Sequence, residues 1–112
     1  MANFQSITQA RLGQAAMTAS YATVYTTPAN TRTFVKDIDV VNTTSASISI
    51  YVNIVPSGQT ATTSNAIFYG NALPANTTVQ WTGTQIMNAG DTIQVKASTT
   101  GCTVTVSGGE GV

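Results

Sequence analysis

Hydrophobic and polar residues alternate most regularly over residues 47–55. Ile48, Ile50, Val52 and Ile54 share one parity, and Ser49, Tyr51, Asn53 and Val55 share the other. Successive side chains of a strand point to opposite faces, so this stretch predicts a strand with one buried and one wetter side. Residues 32–42 behave alike, with Phe34, Ile38 and Val40 on the buried side and Asp37 and Asp39 opposite. The small, polar link at 42–47 is short enough to join adjacent antiparallel strands, so the two segments read as a central hairpin. A hairpin alone is marginal in water, and further strands must cover its isoleucine face.

The rest of the chain supplies them. Residues 21–26 read as a short strand, and residues 27–30 (Thr-Pro-Ala-Asn) as a turn, since proline presets φ and asparagine tolerates the turn conformation. Residues 59–65 are polar and threonine-rich, and predict a mobile surface loop. Short strands follow at 66–69 and at 77–82 with Val79 and Trp81 inward, and residues 85–87 read as a short strand or bend. Two more follow at 92–98 through Ile93, Val95 and Ala97, and at 102–107 through Cys102, Val104 and Val106. About eight short, evenly spaced strands predict an all-β fold, a single antiparallel β-sandwich of jelly-roll type. Its expected core is Phe34, Ile38, Val40, Ile48, Ile50, Val52, Ile54, Val79, Trp81, Ile93, Val95, Val104 and Val106. The sandwich would occupy residues 21–107, with residues 108–112 a flexible glycine-rich tail.

Residues 1–20 show no β-alternation. Ser6 to Gln9 could cap a short helix that Gly13 interrupts; the other reading, favoured here, is an extended N-terminal arm. Phe4, Ile7, Leu12 and Met17 then need a place, either on the chain's own domain or on a neighbouring subunit.

An internal echo links residues 28–42 and 74–88. Both open Pro-Ala-Asn-Thr, close on asparagine and lead into an alternating strand. Two related halves packed face to face would produce this; so would one turn solution used twice.

A chain of 112 residues is one domain, large enough to bury roughly two-thirds of its unfolded surface without staples. Charged residues are only 7%, and threonine, close to a fifth of the chain, fills the gap with a side chain suited to a half-wet pleated surface. The net charge is zero and the four cations, Arg11, Arg32, Lys36 and Lys96, are scattered in sequence, so no footprint for nucleic acid is visible. The low charge permits self-association. No apolar run is long enough for a membrane helix, and no secretory signal is evident, so synthesis in a cytoplasm is expected, which on the resemblance given below would be a host's.

The chain has no histidine, which removes the Ser-His-Asp and Cys-His nucleophile arrangements and the usual zinc sites. Cys102 reads as a small apolar strand residue with no base to activate it. Asp37 and Asp39, two apart on a strand, share a face. They could contribute to a hard-cation site or acid–base pair, but two carboxylates are too few ligands for calcium, and a polar strand face guarding against edge pairing is the plainer reading. Trp81 with Tyr21, Tyr25, Tyr51 and Tyr69 could form a sugar platform; aromatics packed between sheets are the commoner explanation. Tyr51, outward on its strand, is the best candidate among them for an external contact. The sequons at Asn42 and Asn76 read as ordinary turns. No enzyme, cofactor or metal is expected.

Several short motifs occur in a telling order: Arg11-Leu12-Gly13-Gln14, then Tyr25-Thr26-Thr27-Pro28-Ala29-Asn30-Thr31, then a strand ending Val41-Asn42, then Ala89-Gly90-Asp91-Thr92-Ile93-Gln94-Val95-Lys96-Ala97. Together they resemble a family of small tailed-bacteriophage virion proteins: capsid decoration (cement) proteins, head fibres and tail-associated modules, usually trimeric β-sandwiches. The resemblance implies a structural protein of the virion. On this reading it would sit on the capsid surface as a homotrimer bridging major capsid subunits, with no nucleic-acid or membrane partner. A tail, collar or head-fibre module binding a host receptor or carbohydrate is the alternative. No catalytic residues come with the family. The expected subunit contacts are Phe4, Ile7, Arg11, Leu12 and Met17 from the arm, and Tyr51.

Overall fold

The structure, a computed structural model, describes residues 7–111. It contains eight strands: β1 (Ile7–Ala16), β2 (Ala22–Thr26), β3 (Arg32–Asn42), β4 (Ile48–Val55), β5 (Ala66–Leu73), β6 (Thr77–Met87), β7 (Thr92–Ala97) and β8 (Cys102–Gly111). They form two four-stranded sheets, a front sheet ordered β1-β8-β3-β6 and a back sheet ordered β2-β7-β4-β5. β1 pairs antiparallel with β8, β2 with β7, β3 with β6 and β4 with β5. The first half of the chain thus runs antiparallel to the second half in reverse order, a long hairpin rolled into two facing sheets, which is a jelly roll.

The core lies between the sheets. Ile38, Val40, Val104 and Val106 of the front sheet face Ile48, Ile50, Val52, Ile93 and Val95 of the back sheet, each at most 1% exposed. These nine were expected from alternation. The expected hairpin, however, does not exist: β3 lies in the front sheet and β4 in the back. The link at 43–47 crosses between sheets, so the two alternating segments meet face to face rather than edge to edge. A buried face looks the same in sequence whichever way it is covered. Asn42, fully buried, holds this corner. Its Nδ2 donates to the carbonyls of Ala46 (2.8 Å), Leu73 (3.0 Å) and Pro74 (3.2 Å), and its Oδ1 accepts from the Thr44 amide (2.9 Å) and hydroxyl (2.7 Å). This sequon asparagine is an internal brace between the β3–β4 and β5–β6 links.

Four expected core residues are displaced. Phe34 is half-buried and Val35 is fully buried in its stead, because β3 carries a bulge between Val35 and Asp37 that reverses the parity of the strand. Lys36 is the extra residue. Ile54 keeps its inward register opposite Ile93 but lies at the end of the sandwich and is only partly covered. Val79 and Trp81, on the edge strand β6, pack against the core and remain partly exposed for the same reason. Leu12, Met17, Phe68, Leu73, Met87, Ala97 and Cys102 complete the core.

The expected arm is largely a strand. Ile7–Ala16 forms the edge strand β1, with a register shift between Arg11 and Gly13. Leu12 sits at that bulge and drops into the core, while a β-carbon on Gly13 would collide with Val24 of β2. The bulge breaks the alternation that would have betrayed the strand. Phe4 lies outside the described residues. The expected tail is also strand: β8 runs to Gly111 and is paired on both sides, with β1 and with β3. Where it ends, Tyr25 of β2 donates its hydroxyl proton to the Glu110 carboxylate and accepts from Thr33 (2.7 Å), tying the back sheet to the front. Burial and the Glu110 contact push the Tyr25 phenol up to about 12.

The two echoing segments are β3 and β6, antiparallel neighbours in one sheet, not halves packed face to face. What they share is the turn before each strand, where Asn30 and Asn76 adopt positive φ of 57° and 56°. One turn solution is used twice.

Candidate functional site

Every helix-free jelly roll presents two outer sheet faces, and here they differ. On the back sheet, Tyr51 of β4 stands opposite Tyr69 of β5 and Lys96 of β7. The Tyr51 ring meets Tyr69 edge-on at 5.3 Å and Tyr21 at 6.4 Å. Lys96 Nζ lies 4.4 Å from the Tyr51 ring centre and 5.0 Å from that of Tyr21, within cation–π range. Burial, and then Tyr69 and Tyr51 nearby, push the Tyr21 phenol up. Tyr69 is the most open of the three, 58% exposed. The five-aromatic platform is therefore not assembled: Tyr25 lies at the sandwich end and Trp81 on β6 of the other sheet, leaving three tyrosines together.

The other end of the back face is covered. Asn53 Nδ2 donates to the Thr62 carbonyl (2.8 Å) and to Asn65 Oδ1 (2.7 Å), which fastens residues 59–65 and their single 3₁₀ turn (Thr63–Asn65) over β4. Asn53 and Val55, outward by parity, are buried beneath this segment. The expected mobile loop is a hydrogen-bonded cover.

On the front sheet, Asp37 and Asp39 do share the outer face, but β3 lies between β8 and β6, so they guard no edge. Gln80 donates to Asp37 Oδ2 (3.1 Å), and burial together with the neighbouring Asp37 carboxylate pushes the Asp39 carboxyl up. Among the described residues, no three of His, Cys, Asp or Glu come together. Cys102 is buried, and burial pushes its thiol up, away from the thiolate form.

Beside the acidic pair the same face opens into a trough of about 770 Å³, with Ile7, Arg11, Phe34, Lys36, Thr84 and Gly109 among its lining. Its cause is visible in the register. β1 is irregular at Leu12, opposite Val106–Ser107 of β8; β3 at Lys36, opposite Ser107–Gly108; and β6 between Thr82 and Gln85, opposite Lys36, so the shifts lie within one residue of Ser107. Aligned bulges bend a sheet and re-aim its side chains. Gly109 then leaves β8 without a side chain between Gln9 and Phe34, its register partners. Of the expected contact residues, Ile7 (60% exposed) and Arg11 line the trough, Leu12 and Met17 are used inside the chain's own core, and Tyr51 lies on the opposite sheet. Lys36 and the Gly108-Gly109 pair were not singled out for this site. The signal was present: a lysine on the same parity as Phe34 and Ile38 cannot sit in a core, so the parity had to change.

No protein-family model matches the chain, and no curated protein matches it. Among solved structures, a chain of infectious bursal disease virus, Gx strain, is similar, with a TM-score of 0.52 and 10% sequence identity. The match covers 91% of this chain and 32% of that one, so the present chain spans about a third of its neighbour's length. The likeness is one of fold, a β-sandwich.

Proposed function

We propose that this chain is a structural component of a virus particle, and more narrowly a decoration protein of a tailed-bacteriophage capsid that bridges neighbouring major capsid subunits. The capsid-like fold likeness supports the general role, and the ordered motifs from Arg11-Leu12-Gly13-Gln14 to Ala89–Ala97 support the narrower one. The observation that carries the reading is the open, partly apolar trough on the front sheet of an otherwise closed, low-charge sandwich. A surface of this kind serves attachment, and in this role the chain performs no catalysis and holds no cofactor. The bridging contact moves accordingly from a free arm to the front face, because β1 is part of the sheet and Leu12 and Met17 are not available to a neighbour. A homotrimer on the outer shell would multiply weak single contacts into firm attachment. Gold-labelled antibody against the chain should decorate the shells of purified particles, and the isolated protein should sediment as a trimer. Label confined to a tail or fibre would overturn the capsid role.

The back-face tyrosines favour a second reading, a receptor- or carbohydrate-binding module of a tail, collar or head fibre. It requires saturable glycan binding that is lost in Tyr69→Ala.

A further inference from the structure

The front-sheet trough has an electrostatic character that the whole chain lacks. The chain carries four cations and four acids. Two of the cations, Arg11 and Lys36, line the trough, and none of the acids does. They are 25 positions apart in sequence and come together because the bulges of β1 and β3 fall at one level of the sheet. Lys36 Nζ donates to the Thr84 hydroxyl (2.8 Å), a neutral partner that holds the ammonium in place without cancelling its charge. Among the described residues, Arg11 donates to Gln14 Oε1 over a long 3.5 Å. Asp37 lies on the same cross-strand row as Arg11, both opposite Ser107, and its Oδ2 accepts from Gln80; Asp39 lies two residues further along β3. Glu110 faces inward to Tyr25.

Between the cations, Ile7, Ala10, Phe34 and the Gly108-Gly109 backbone make the trough largely apolar. A β-carbon on Gly109 would meet the Thr8 carbonyl oxygen at 3.3 Å, Ile7 Cγ2 at 3.6 Å and Phe34 Cδ2 at 3.9 Å, so Ile7 and Phe34 border bare β8 backbone at this point. Ile86, opposite Phe34 on β6 and 48% exposed, extends the apolar surface. Gln9 and Ser107 add neutral hydrogen-bonding groups. Such a surface asks for an occupant offering apolar side chains, carboxylates and backbone amides in one narrow piece. Two cations are too few for a nucleic-acid backbone.

We infer that the trough is the docking site for an extended, acidic and apolar peptide segment of the shell subunit, with an apolar side chain over Gly109 and carboxylates on Arg11 and Lys36. This rests on the proposed decoration role, but its test does not. The probe is a capped synthetic peptide of about seven residues alternating glutamate and leucine, roughly 23 Å long when extended, with a lysine–leucine counterpart as control. Titrated into the full chain and followed by amide NMR shifts, the glutamate peptide should move Gln9, Lys36, Thr84 and Gly109 and leave Tyr51 and Lys96 unmoved. Added salt should weaken it. Arg11→Glu/Lys36→Glu, both at exposed positions, should weaken it by at least about tenfold. Lys96→Glu, a charge reversal on the back sheet, should not. Equal shifts with the two peptides, no shifts, or unchanged binding by the double variant would overturn the inference. So would the same amides moving with protein concentration alone, which would mean that a second copy fills the trough. If the glutamate peptide binds as described but the wild-type chain fails to co-sediment with shells, the trough stands and the decoration role falls.

Discussion

The outer faces of the two sheets are built on the same four-stranded frame and end up opposite in character. The back face closes upon itself. Its tyrosines pack edge to face around Tyr51, Lys96 lies against their rings, and Asn53 fastens residues 59–65 over what remains. The front face stays open where three bulges coincide and β8 contributes glycine instead of a side chain. The difference teaches that a jelly roll does not choose its binding face by topology. One face is closed by large side chains that find one another, and the other is opened by small ones that leave room.

The largest effect that should sharpen this contrast is Gly108→Ala. A β-carbon there runs into the Phe34 carbonyl oxygen, part of the backbone of β3, and cannot be relieved by a rotamer change. A loss of about 3 kcal/mol in denaturant unfolding is expected, the upper end of ordinary overpacking. A neutral result would mean that the front sheet is not bent as described.

Asn53→Ala should come next, at about 2 kcal/mol, since it leaves the Thr62 carbonyl and the Asn65 amide oxygen without their buried donor. Limited proteolysis should then cut within 59–65, converting the closed back face into an open one. Resistance equal to the parent would show that something other than Asn53 holds the cover.

Tyr51→Ala should cost about 1 kcal/mol by removing two ring contacts and a cation–π partner, whereas Tyr51→Phe should be close to neutral. If both variants lose equally, the hydroxyl rather than the ring carries the interaction.

The smallest expected effect is a gain. The Asp39 carboxyl is pushed up by burial and by Asp37, so its protonated form is favoured in the folded chain. Stability from this group is fully present below the ordinary carboxylate value and is lost as pH rises through the higher folded value. At neutral pH, Asp39→Asn should therefore be slightly more stable than the parent, and the advantage should vanish in acid. An advantage that persists below pH 3 would have another origin.

Much of this fold was legible in the chain. Ile48, Ile50 and Val52, Ile93 and Val95, Val104 and Val106 declared their buried faces by period two alone, because a strand has only two sides. The Pro-Ala-Asn turns declared themselves because asparagine tolerates the left-handed backbone that Asn30 and Asn76 adopt. Pairing was not legible. Alternation says that a face is covered but not whether the cover lies beside the strand or above it, so β3 and β4 read as a hairpin and fold into different sheets. Bulges were the second blind spot. One extra residue, Leu12 in β1 or Lys36 in β3, reverses parity, and this hid a whole strand and placed Phe34 on the wrong side. The trough depends on both. It needs β1, β3, β6 and β8 to be neighbours and their irregularities to fall at one level, conditions set by long-range register and by no local run of residues. The sequence by itself therefore determined which side chains are inside wherever a strand runs without a bulge, and where the chain turns, which are local matters of side-chain direction and backbone freedom. Only the tertiary structure decided which strands meet, and hence that Arg11, Lys36 and Gly109 share one site.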